Sequence, residues 1–242
     1  MKKPAFFLAA LCLGTLLLGS CGNDKSTDTT VTTTETTTAS ADSAATGDMA
    51  GIDHSKMAGG STAGSSPLTA AMNEMMDEMN ALKPRGNTDH DFAHMMLAHH
   101  QGAVAMADIE LRDGKDATMK QMAGKIKADQ QKEIGELTPI AERLDAAPRN
   151  YQPQDPTDPF TSKMKASMDD MMKNMPQAVA NPDMNFNMLM TVHHQSAVDM
   201  AKAELAHGKD TKLKEMAQLM VDAQQQEIAA FKAWHARNGD KM

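Results

Sequence analysis

The chain has 242 residues, a formal net charge of −8, 24 methionines, two cysteines and 3% aromatic residues. An acidic balance with no basic stretch interleaved with aromatics argues against a nucleic-acid binder. So few aromatics mean that any core is built from Met, Leu, Ala, Ile and Val, and no stretch alternates in the strand period, so the expected fold class is all-α.

Lys2 and Lys3 precede an apolar run from Ala5 to Leu18, and Leu18-Gly19-Ser20-Cys21 closes it. That is the pattern of a secretory signal ending in a lipobox, and the run is short for a span of about 20 residues. Residues 1–20 are therefore expected to be a lipoprotein signal peptide, with Cys21 as the lipidation site and the membrane as a partner through that anchor. Gly22 follows the cysteine where some bacteria place an Asp for inner-membrane retention. The expected location is thus the cell envelope, extracytoplasmic and at the outer membrane. Cys12 would leave with the signal and Cys21 would be acylated, so the folded part would have no thiol for a disulfide, a metal or catalysis. Any soft ligand must then be methionine.

Residues 21–66 are rich in Thr, Ser, Ala, Asp and Gly, a composition that cannot bury enough surface to offset the entropy of ordering, and they read as a tether. Within it, Asp53, His54, Ser55 and Met57 resemble the Met/His loops of periplasmic copper-resistance proteins, a weak and flexible capture site.

From Leu68 the pattern is helical. Met72, Met75, Met76 and Met79 recur at three and four residues, as do Met168, Met171, Met172 and Met175, and Pro84 and Pro176 follow the two stretches. A Met stripe at this spacing reads as core filling by a flexible thioether. The segment Asp91–Leu111 then returns at Asn185–Leu205, and over residues 91–137 against 185–231 the two copies share 21 of 47 residues. On a helical wheel Phe92, Met95, Met96, Ala103, Met106 and Glu110 lie within about 60° of His99, and His100 sits about 100° away at the edge of that face. The second copy repeats the pattern around His193, with Met190, Met200 and Glu204, and His194 at the edge.

Asn87-Thr88-Asp89 and Asn181-Pro182-Asp183 open these helices, and Gly114 and Gly208 close them. A further helix follows each glycine, so each pair must lie antiparallel. The expected architecture is a four-helix bundle from two tandem hairpins, each preceded by a short Met-rich helix. The first repeat is residues 67–147, a Pro-rich linker runs over 148–160, and the second repeat is 161–242. Folding about Gly114 brings His99 level with Gln130 and Glu133, and His193 level with Gln224 and Glu227.

The arrangement F-x-x-M-M-x-x-H-H-Q-x-A-V-x-M-A-x-x-E around His99, its near copy around His193, and the Q-x-x-E-I that follows at Gln130 and Gln224 resemble the domain of unknown function DUF305. The resemblance covers Met72 to Asn238. It implies a ferritin-like helical fold and kinship with CopM-like periplasmic copper-binding proteins.

Thioether sulfur suits Cu(I), imidazole accepts copper in either oxidation state, and carboxylate suits harder ions. The expected ligands are His99, His100, Met106, His193, His194 and Met200, with Met96 and Met190 one turn before the first histidine of each pair. Glu110, Glu133, Glu204 and Glu227 are expected to support or pack. The function expected is copper sequestration or tolerance outside the cytoplasm, without turnover, and silver would bind for the same reason as Cu(I). Two alternatives stand beside it: a structural or partner-binding helical lipoprotein without metal, and a di-iron carboxylate oxidoreductase. The latter needs Glu-x-x-His on two helices. Glu204 and His207 have that spacing, whereas Glu110 is followed by Asp113.

Overall fold

The computed structural model describes residues 66–239; Cys21, the tether and the His54 patch lie outside them. It contains α1 (Pro67–Ala81), α2 (Thr88–Asp113), α3 (Ala117–Leu144), α4 (Pro159–Lys173), α5 (Pro182–His207) and α6 (Thr211–Asn238). Among the described residues there is no strand, and no helix is long and apolar enough to cross a membrane. The protein is an all-α bundle. Its helices come in two sets of equal length, 15, 26 and 28 residues.

Each start is set by a side chain that satisfies free backbone donors. Ser66, Asn87, Asp116, Asp158, Asn181 and Asp210 cap the six helices in order, and Pro67, Pro159 and Pro182 occupy first-turn positions where a missing N–H costs nothing. Gly114 and Gly208 end α2 and α5 with φ near −60°, so no left-handed residue is needed there. Glycine is required for another reason: a Cβ at either position would fall where the carboxyl of Glu110 or Glu204 folds back over the helix end.

The two central helices are α2 and α5. α2 packs against α1, α3 and α5, and α5 against α4, α6 and α2, so both are covered on several sides. They run antiparallel, because the start of each meets the end of the other. The Asp183 carboxylate accepts from the Lys115 and Asp116 amides at 2.8 Å each. Asp89 accepts from Lys209 and Asp210 at 2.7 and 2.6 Å.

The core is thioether-rich, as expected from the aromatic count: Met72, Met75 and Met79 of α1 are all buried. Met172 on α4 departs from its stripe and is 44% exposed. The Pro-rich linker is clipped to the α1–α2 turn. Asn150 and Tyr151 amides donate to the Gly86 carbonyl, Thr88 N–H donates to Asn150 Oδ1 at 2.9 Å, and the Tyr151 hydroxyl donates to Asp91 at 2.6 Å. Gly86, at φ +87°, takes the left-handed conformation that only glycine adopts without strain.

Candidate metal centre at the helix crossing

The antiparallel α2–α5 pair crosses where His99 faces His193. Their ring centroids are 3.7 Å apart with planes at 34°, and both residues are completely buried. His193 Nε2 lies 3.0 Å from the His99 carbonyl oxygen and donates to it, which leaves the His193 Nδ1 lone pair free. Neither ring nitrogen of His99 has a hydrogen-bond partner, nor does His193 Nδ1. Buried polar atoms without partners cost about 1–3 kcal/mol each, and native proteins keep few of them. Burial, reinforced by the neighbouring imidazoles, pushes the pKa of His99 and of His193 well below the usual histidine range. Both are neutral, which is the form that binds metal.

His100 and His194 are also fully buried, which differs from their expected edge position. The reason is that α3 and α6 cover that side of α2 and α5. It is therefore His100, and not His99, that reaches Glu133, at 2.8 Å, while His194 reaches Glu227 at 3.0 Å. Neither contact has the alignment of a hydrogen bond, and the Nδ1 atoms of both rings are unpartnered. Burial alone would raise Glu227, but His194 and Lys125 outweigh it and hold its carboxyl below the ordinary value. Gln130 and Gln224, one turn before these glutamates, are buried with amide atoms unpartnered.

Met96, Met106, Met190 and Met200 all have zero exposure. Met96 and Met190 stand one turn before their histidine pairs, about 4.5 Å along the axis and towards opposite ends of the antiparallel pair. Met106 and Met200 lie seven residues beyond His99 and His193, about 10 Å along the axis, and form separate thioether levels. Cys21 lies outside the described residues.

Glu110 and Glu204 are distant from this level. Burial, followed by Asp183, raises the Glu110 pKa to about 9; burial, followed by Asp89, raises that of Glu204 to about 9. Asp89 and Glu110 are at opposite ends of α2, about 30 Å apart at 1.5 Å per residue, so the two glutamates cannot share a pair of ions. Both are shifted towards the protonated form in the metal-free fold.

One group of donors was missed in the sequence. Among the described residues, His90, His94 and Asp145 are the one set of three or more His, Cys, Asp or Glu whose ligand atoms all lie within 4.8 Å of one another. The HHQ imidazoles do not converge so tightly. The signal was His-x-x-x-His, two imidazoles one helical turn apart. It has no echo in the second copy, where Met184 and Met188 stand at the same offset.

The family model for the domain of unknown function DUF305 matches residues 89–235. Among solved structures, a putative secreted DUF305 protein from Streptomyces coelicolor is 25% identical with a TM-score of 0.50, over 64% of this chain and 96% of that one. CopM in its Cu(I)-bound form is 26% identical with a TM-score of 0.47, over 62% of this chain and 96% of that one. A DUF305 fragment from Deinococcus radiodurans is 23% identical with a TM-score of 0.46, over 64% and 99%. No curated protein matches the sequence. With the family model spanning all of α3 and α5 and nearly all of α2 and α6, the chain belongs to the DUF305 family.

Proposed function

We propose that this protein binds copper, with Cu(I) preferred and Ag(I) as a mimic, at the level where α2 and α5 cross, and that it sequesters the ion outside the cytoplasm from a lipid anchor at Cys21. The observation that carries this reading is the buried imidazole cluster: His99, His100, His193 and His194 have zero exposure, and each keeps at least one ring nitrogen without a hydrogen-bond partner. A core arranged only for packing has no use for four such groups. The donors fit a soft ion, because neutral imidazoles stand one turn from the thioethers of Met96 and Met190 and the described residues contain no thiol. Met106 and Met200 offer thioether levels to either side, along which an ion could enter. Copper is cargo in this reading.

The test is a Cu(I) competition titration of the full chain and of a His99/His100/His193/His194→Ala variant, with circular dichroism to establish that the variant keeps its helices. The parent should bind Cu(I), and the variant should lose the tightest site, weakening by tenfold or more (about 1.4 kcal/mol per tenfold). A helical variant that binds as tightly as the parent would make the histidines structural. In the producing cells, Cys21→Ala should move the protein from the membrane to the soluble fraction. A protein partner with no metal is the reading left if the parent takes up no copper.

A further inference from the structure

At the opposite end of α2 from Glu110, three groups converge outside the HHQ level. His90 is 5% exposed. Its Nδ1 lies 2.7 Å from Asp91 Oδ1, and its Nε2 lies 3.2 Å from Asp145 Oδ1, at the C-terminus of α3. His94, one turn further along α2, places its own Nε2 3.2 Å from the same oxygen, and the two rings are 4.3 Å apart. Arg85 Nη1 is 3.5 Å from Asp145 Oδ1 and donates to the Asp145 carbonyl at 2.8 Å.

Asp91 already accepts from the Arg85 and Gly86 amides at 2.8 and 2.9 Å and from the Tyr151 hydroxyl. Both its oxygens are thus in accepting roles, which places the His90 ring proton on Nδ1, donated to Asp91 Oδ1. Nε2 then faces a carboxylate oxygen at 3.2 Å, a pairing that either a second ring proton or a metal ion between the two atoms satisfies. A carboxylate that orients a histidine from behind is the usual support of a metal-bound imidazole. Two imidazoles one turn apart on a helix, joined by a carboxylate, are a donor set for a borderline divalent ion and not for Cu(I).

We propose that His90, His94 and Asp145 hold a divalent cation of the Zn2+ or Cu2+ type, with Asp91 orienting His90. The site is separate from the HHQ level and differs from it in chemistry. The second copy supplies the contrast: Met184 and Met188 replace the two histidines and Asn185 replaces Asp91. Asn185 keeps the structural half of the role, accepting from the Val179 amide at 2.7 Å, and holds no imidazole. The two ends of the bundle have thus diverged in softness at equivalent positions.

The experiment is calorimetric titration of the full chain with Zn2+, and electron paramagnetic resonance with substoichiometric Cu2+, on the parent, His94→Gln, Asp145→Asn and Asp91→Asn. His94 and Asp145 are partly exposed, so their variants should stay folded, and the asparagine at 91 is the residue the second copy already tolerates. The parent should bind one Zn2+ more than His94→Gln or Asp145→Asn. Asp91→Asn should keep the stoichiometry with affinity reduced by about 10–100-fold. The parent's Cu2+ signal should show nitrogen coupling that weakens in His94→Gln. The double variant His90→Met/His94→Met should exchange Zn2+ capacity for Ag+ capacity. Equal Zn2+ stoichiometry and Cu2+ spectra in parent and His94→Gln, or no Zn2+ uptake by the parent, would overturn the proposal and leave a proton and Arg85 as the only cations there. The HHQ alanine variant is the separating control. It should retain this Zn2+ site whatever it does to Cu(I).

Discussion

Glu110 and Glu204 carry a protonation state that sets how stability responds to pH. Each carboxyl is raised from about 4.5 to about 9 in the fold, by burial first and by the neighbouring Asp183 or Asp89 next. A carboxyl whose folded pKa is raised binds more protons folded than unfolded, so its effect is to lower stability as pH rises from about 4.5 to about 9, by up to about 1.4 kcal/mol per pH unit for each group. His99 and His193 act in the opposite sense. Their folded pKa values are depressed, so they lower stability as pH falls below about 6.5. The two kinds of group oppose each other below about pH 6.5, and above that only the glutamic acids remain. Urea unfolding of the metal-free protein should therefore show a shallower pH dependence below 6.5 and a steady loss of stability from pH 7 to 9. A Glu110→Gln/Glu204→Gln protein should lack the alkaline slope. If the parent is as stable at pH 9 as at pH 7, these carboxyls are ionised in the fold.

At the scale of the element, α1 lies so close on α2 that a helix rule reverses. Gly102 is in the middle of α2, where Ala normally improves on Gly by up to about 1 kcal/mol. Here an added Cβ would fall 2.5–2.6 Å from Met75 Cγ, Cβ and Sδ, and overpacking costs about 1–3 kcal/mol. Because Met75 Cβ is among those atoms, a rotamer change alone does not open the space. Gly102→Ala should lower the thermal midpoint, and combined with Met75→Ala, which removes Cγ and Sδ but keeps Cβ, the two losses should sum to less than their separate values. Additive losses in the double variant would show that the two residues do not compete for that volume.

The helix ends were readable in the sequence because Asn, Asp, Pro and Gly mark them with local chemistry: Asn87, Asn181, Gly114 and Gly208 fall where expected. The partners inside the bundle were not, because a wheel drawn for one buried face misjudges a helix buried on several. Counting residues about Gly114 likewise gives the level of Glu133 and not the side from which α3 approaches, which is that of His100. The His90–His94 pair escaped for a different reason. The duplication marks what both copies share, and these histidines occur in one copy only.

For the whole molecule, membership of DUF305 accounts for the HHQ helices and their successors, and the metal readings rest on donors that only the assembled bundle brings together. His99 meets His193 across the α2–α5 crossing, and His90 meets Asp145 because α3 returns along α2. An ion at the crossing would therefore tie the two sets of helices to each other, whereas one at His90, His94 and Asp145 would tie α2 to α3 alone.

The exchanged aspartates have a consequence for assembly. Asp89 closes the turn before α6, and Asp183 closes the turn before α3. Each three-helix set thus completes the other, as two identical subunits would across a two-fold axis. Both turns carry the same Gly-Lys-Asp, at residues 114–116 and 208–210, so one set could serve a second copy of itself. The two halves are thus related as the subunits of a homodimer would be. A protein truncated to residues 148–242 should accordingly elute as a dimer in size-exclusion chromatography with light scattering, with Asp183 of each copy held by residues 209 and 210 of the other. Asp183→Ala should shift it towards monomer and lower its helicity. A truncated chain that is monomeric and fully helical would show that the halves need no such exchange.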